Sequence, residues 1–146
     1  MNYPSCFRGS APPLVHGWNF VPDAVIPIST ATNAVGRPIT PENSGSQIVP
    51  VAPTITPNGK TIYALGLPNN RITPIFVTRR RVGPPILPPC WAPKWGLGMP
   101  VSTPTGHTAY FASPACDSVT PLNTATNAPG RPIRVAGVPL VILAVP

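Results

Sequence analysis

Acidic residues are nearly missing from this chain of 146. Only Asp23, Glu42 and Asp117 stand against ten Lys/Arg, and residues 43–116 hold none. No group of carboxylates could therefore form a metal cage. Helix-compatible stretches are missing too: no run of about ten residues free of Pro and Gly shows apolar spacing of 3, 4 and 7. The 25 prolines each fix φ and remove a backbone donor, which penalises helix interiors and central strands alike. The apolar tail "AGVPLVILAVP" is shorter than the roughly 20 residues a membrane-spanning helix needs. At the start, "MNYPSCFRGS" shows no charged region followed by an apolar core, so no classical signal peptide is expected. Asn-x-Ser/Thr acceptors do not occur. The cysteines, Cys6, Cys90 and Cys116, are odd in number, far apart and without metal-binding spacing. Buried free thiols and synthesis in a reducing cytoplasm are the expectation.

Catalytic inventory is equally thin. P-loop, dinucleotide fingerprint, nucleophile elbow and protease signatures are all missing. The residues leave open one pairing, His107 with Cys90 or Cys116. The expectation is a non-enzymatic protein with no cofactor and no metal.

What is present is apolar. Hydrophobic residues make up 42% against 9% charged, and mean hydropathy is +0.16. Disordered chains are poor in apolar residues, so high proline does not here signal disorder. A chain with much to bury and little charge fits a subunit that covers its surface against partners. The net charge of +7 suits an acidic protein, an anionic surface or nucleic acid. The one cluster, Arg79, Arg80 and Arg81, is the candidate anion contact. Interleaved aromatics are missing around it, so nucleic acid ranks behind protein assembly, and no membrane partner is expected.

The chain repeats itself. "DAVIPISTATNAVGRPI" (23–39) aligns without gaps to "DSVTPLNTATNAPGRPI" (117–133), with twelve of seventeen positions identical. Alternating "ISTAT" and "LNTAT" read as strands, "NAVG" and "NAPG" as turns, and Arg-Pro as an extended exit. Asn33, Gly36 and Arg37, with Asn127, Gly130 and Arg131, are the repeat-turn residues. Asp23 and Asp117 are expected to accept backbone or Arg donors within their own unit. A fainter third copy lies at 64–77, where "RITP" resembles the "RPITP" of 37–41. Asn58-Gly59 marks a hairpin between "APTIT" and "KTIYAL".

The organisation expected is an N-terminal extended arm (1–22), a β-rich first repeat unit with a hairpin (23–81), a Pro/Gly/Trp-rich extended arm (82–116), and a second β unit with an apolar C-terminal strand (117–146). Trp18 and Phe20 in the first arm, with Trp91 and Trp95 in the second, would plug pockets on neighbours. Val138, Leu140 and Ile142 would add a strand to a partner. The fold class expected is all-β with little or no helix: short strands and hairpins joined by Pro-rich arms, folding on assembly.

The phrase "TATNAxGRPI", at Thr32–Ile39 and Thr126–Ile133 in its core, resembles repeats in small Pro-rich virion proteins of tailed bacteriophages. That resemblance implies a minor capsid, decoration or head-neck protein, bound to other virion proteins and to copies of itself, and located on the virion. The alternative is a subunit of a non-viral extracellular filament or adhesin; a third reading is a basic nucleic-acid-binding accessory protein.

Overall fold

A computed structural model describes residues 14–19, 24–40, 49–50, 53–67, 71–90, 98–139 and 142–144. The chain is all-β: twelve short strands and one turn of 3-10 helix, Pro114–Cys116, make up the regular structure of the described residues. Three antiparallel sheets follow one another along the chain. The first pairs β1 (Leu14–Asn19) with β2 (Ala24–Ser29). In the second, β3 (Val49–Pro50) and β4 (Thr54–Ile55) both pair with β5 (Thr61–Leu67), which pairs with β6 (Arg71–Phe76) and that with β7 (Arg81–Val82). In the third, β8 (Val101–Ser102) pairs with β9 (Thr108–Ser113), β9 with β10 (Ser118–Asn123), and β10 with β11 (Ala128–Pro129) and β12 (Ile133–Arg134).

These sheets are one unit written three times. Their long strands begin at 14, 61 and 108 and at 24, 71 and 118, steps of 47 throughout. The third copy is therefore real, but its register differs from the sequence expectation. Residues 70–86, "NRITPIFVTRRRVGPPI", occupy the place of 23–39 and 117–133. Only Pro74, Gly83, Pro85 and Ile86 survive from the phrase the other two share, which is why the letters hid it.

Those four positions carry the geometry. Gly36, Gly83 and Gly130 donate their N–H groups to the carbonyls of Pro27, Pro74 and Pro121 at 2.8, 2.7 and 2.8 Å. The proline ring lies over the glycine so closely that a Cβ would meet Pro27 Cγ at 2.8 Å, Pro74 Cγ at 2.9 Å and Pro121 Cγ at 3.0 Å. On either side the pairing resumes, Ile28 with Val35 and Val25 with Ile39, then Ile75 with Val82 and Ile72 with Ile86. The third sheet matches, with Leu122 opposite Pro129 and Val119 opposite Ile133. Three residues thus oppose two, a bulge of one extra residue. A proline in the second long strand is tolerated because its missing donor faces this bulge, where the ladder is already broken. The second proline of the phrase (Pro38, Pro85, Pro132) sits in the bulge itself, and the isoleucine after it returns to register.

The tight turn ends at the Asn of "NAVG". It spans residues 30–33, with Asn33 N–H donating to the Ser29 carbonyl at 2.8 Å and Asn127 N–H to that of Asn123 at 2.8 Å. The "TAT" threonines are turn residues and not strand, because Ser29 Oγ and Asn123 Oδ1 accept turn N–H groups, at 3.3 Å from Thr32 and 2.9 Å from Ala125. Asn33, Arg80 and Asn127, equivalent in the three units, all take positive φ: 56°, 49° and 57°. Asparagine tolerates this left-handed conformation, while Arg80 adopts it against preference. Asp117 also has positive φ, 45°, between β9 and β10. Asp tolerates this conformation, a reason for it at this place beside the backbone or Arg donors expected from sequence; Asp23 and Asn70, its equivalents, lie outside the described residues.

Both arms expected from sequence contain strands. β1 falls within 1–22, and β8 and β9 fall within 82–116, because each belongs to a unit whose other half was recognised. The hairpin at Asn58-Gly59 is present, closed by Gly59 N–H to Thr56 O at 2.8 Å with Pro57 in the turn. Within this chain, residues 138–139 and 142–144 of the apolar tail expected to add a strand to a partner take no strand conformation.

The sheets stack face to face. Val25 and Ile39 of the first pack on Ile62, Ala64 and Ile75 of the second. Tyr63, Leu65, Ile72 and Ile86 of the second pack on Ala109, Phe111 and Leu122 of the third. Alternate residues of β5 thus serve opposite interfaces, as strand periodicity requires. β4 and β8 are the strands that draw close between the second and third sheets, so these two sheets diverge from that edge.

Candidate assembly surface

Two contacts bridge neighbouring units from the left-handed turn position. The Tyr63 hydroxyl donates to Asn127 Oδ1 of the third unit at 2.8 Å. The ring is fully buried, edge-on to Phe111 with centroids 6.1 Å apart. Burial pushes the Tyr63 phenol up to about 12, so it remains a neutral donor across the physiological range. At the other interface, an Arg80 guanidinium nitrogen donates to the carbonyls of Arg37 and, at 3.3 Å, Pro38 of the first unit. Arg80 thus makes a structural contact between units while it remains exposed. Arg79 and Arg81 stay exposed beside it.

Each outer sheet presents a face whose equivalents are buried or partly buried inside. In the third unit, Tyr110, Val119 and Ile133 stand where Tyr63, Ile72 and Ile86 stand in the second. Ile86 is 9% exposed and Ile133 is 51% exposed. In the first unit, Ile28 and Val35 occupy the places of Ile75 and Val82, and Val35 is 69% exposed. The hairpins gather at one end of the sheets, 30–33 and 77–80 with 56–60, and 103–107 with 124–127. Val77 N–H to Lys60 O at 2.9 Å and Thr124 N–H to His107 O at 3.1 Å tie neighbouring loops. That end carries Lys60, Arg79, Arg80, Arg81 and His107.

At the opposite end, Cys90 and Cys116 form a disulfide, with Cα atoms 6.4 Å apart. The expectation of free thiols is corrected for this pair. It ties the segment after the second sheet to the β9–β10 connection, a proximity that spacing alone does not reveal. It also closes the Cys–His pairing left open with His107.

Trp18 stands in β1 opposite Val25. Phe20, Trp91, Trp95 and Leu140 lie outside the described residues. Val138 is exposed and Ile142 half-buried. Gly36 and Gly130 are bulge residues, and Arg37 and Arg131 are exposed within the bulges. Tyr63 and Tyr110 were missed; the signal available was "TPNGKTIY" (56–63) against "TPTGHTAY" (103–110), at the same offset of 47. Among the described residues no group of three His, Cys, Asp or Glu could hold a metal ion, and no helix is long and apolar enough to cross a membrane.

No family model matches the chain, and no curated protein does. Solved structures do. The hydrazine synthase of Kuenenia stuttgartiensis superposes with TM-score 0.68 at 19% identity, over 94% of this chain and 38% of that one. The WD40 repeats of RRP9 give TM-score 0.66 at 14% identity, over 89% and 41%. AztD of Citrobacter koseri gives 0.63 at 17% identity, over 87% and 33%. WD40 repeats are four-stranded blades of β-propellers. The fold is a β-propeller segment. Each 47-residue unit is one blade, and the chain spans between about a third and two fifths of the length of these neighbours. At such identities the likeness concerns fold alone.

Proposed function

We propose that the chain is a non-enzymatic scaffold of propeller blades that works by docking onto further β-sheets, in an oxidising environment. The observation that carries this reading is the pair of open blade faces, Ile28 on one side and Tyr110, Val119 and Ile133 on the other, whose counterparts Ile75, Tyr63, Ile72 and Ile86 are buried inside the molecule; Val35 beside Ile28 has a partly buried counterpart in Val82. A sheet with two apolar faces is stable only when both are covered. The basic hairpin end, led by Lys60, Arg79 and Arg81, adds a surface suited to an acidic protein partner.

The Cys90–Cys116 disulfide favours the extracellular setting, a surface filament or adhesin subunit, since such bonds persist outside the reducing cytoplasm and on virion surfaces. The virion resemblance supports a second setting, a minor capsid or head-neck protein, and rests on the repeated phrase. Quantitative mass spectrometry of assemblies isolated from the native source tests the proposal. The chain should be recovered in fixed stoichiometry within a larger particle or filament. Recovery as a free monomer with turnover on a small substrate would overturn it.

A further inference from the structure

The two open faces are halves of an interface the molecule already makes. Tyr63 of the second blade donates to Asn127 of the third. One step of 47 beyond Tyr63 is Tyr110, on the open face of the third blade. Two steps back from Asn127 is Asn33, on the first blade, with the same left-handed backbone, φ 56° against 57°. The aliphatic partners match as well. Ile72 and Ile86, which meet Leu122, correspond to Val119 and Ile133, and Leu122 corresponds to Ile28. The chain therefore carries a tail (Tyr110, Val119, Ile133) and a head (Asn33, Ile28, Val35) that reproduce the hydrogen-bonding and aliphatic parts of that interface, with Gly17 in the place of Phe111, and that cannot meet within one molecule.

We infer that a second copy of this chain covers these faces head to tail, with the Tyr110 hydroxyl of each copy donating to Asn33 Oδ1 of the other. Two copies supply six blades, within the range of about 4–8 in which propeller rings close. Closure makes both contacts equivalent and leaves no sheet face open. This rests on the scaffold reading above and names the occupant of its faces.

Sedimentation equilibrium and light scattering of the full chain under oxidising conditions test it. The expected species is a dimer, twice 15.3 kDa. Tyr110→Phe should raise its Kd about 25-fold, roughly fivefold for one hydrogen bond at each of two contacts. Asn33→Ala in the same chain should add little further, because the pair acts as a unit. Ile133→Asp and Val35→Asp should each give monomers with an unchanged circular dichroism spectrum. Mixed together, they should form a heterodimer through their one intact contact. A monomer at every concentration overturns the inference, as does a Val35→Asp chain that still dimerises, which would mean tail-to-tail pairing. If the chain proves monomeric but Ile133→Asp releases it from a native assembly of other proteins, the scaffold reading stands and only the second copy is refuted.

Discussion

Replacing Tyr63 by Phe separates the hydroxyl from the ring at the interface between the second and third blades. The ring would keep its packing against Phe111, so no cavity opens. What is lost is the bond to Asn127, and a hydrogen bond of this kind contributes about 1 kcal/mol net. Alkaline pH gives a larger and more specific signal. The folded phenol titrates near 12 against 10 when unfolded, because burial disfavours the phenolate. A folded value above the unfolded one means that stability is fully present below pH 10 and is lost as pH rises through 12. That difference corresponds to about 2–3 kcal/mol of stability. Urea unfolding followed by circular dichroism at intervals from pH 8 to pH 12 measures it. The wild-type chain should lose stability relative to Tyr63→Phe across the upper part of that range, so the variant, weaker at pH 8, becomes the more stable one near pH 12. Parallel curves for the two proteins would refute the buried, hydrogen-bonded placement of Tyr63.

Other perturbations follow from the same geometry. Phe111→Ala, which empties the centre of the same interface, should cost about 3–5 kcal/mol in denaturant unfolding. Gly83→Ala places a methyl against Pro74 and Phe76, both under 3.0 Å from its carbon, and should destabilise by about 1–3 kcal/mol. The same change at the open Gly137 meets no atom within 4 Å, so only its positive φ opposes it and the loss should be smaller. Reducing Cys90–Cys116 removes a cross-link over a separation of 26 residues and should cost about 3.5 kcal/mol on the chain-entropy estimate, read as a lower urea midpoint in dithiothreitol. The Thr120 hydroxyl is buried without a hydrogen-bond partner, and Ile26 occupies its place in the first blade. Thr120→Val should therefore be neutral or stabilising, checked by the same unfolding curves.

The all-β class was legible because proline density forbids helices while Thr, Val and Ile favour strands. The repeat was legible where its letters survive, at Asn33–Ile39 and Asn127–Ile133. Its middle copy was not, because Arg79–Arg81 replace the turn residues and side-chain contacts to the first blade offset the cost of Arg80 at positive φ. Turn placement slipped by three residues because Asn-x-x-Gly reads locally as a turn, whereas Gly36 and Gly130 serve a bulge against a proline ring. That approach is a pairing across nine residues, invisible to local propensity. The interface tyrosines stayed hidden for a related reason: Tyr63 finds Asn127 only after two sheets have stacked. The disulfide depends on the register of one blade against the segment before it.

Three units share one geometry at intervals of 47 residues. Nuclear magnetic resonance couplings across hydrogen bonds test it most directly, by correlating an amide nitrogen with the carbonyl carbon it donates to. Three such correlations are expected, Gly36 to Pro27, Gly83 to Pro74 and Gly130 to Pro121. Correlations at Gly36 and Gly130 without one at Gly83 would mean two units and not three, and would contradict it.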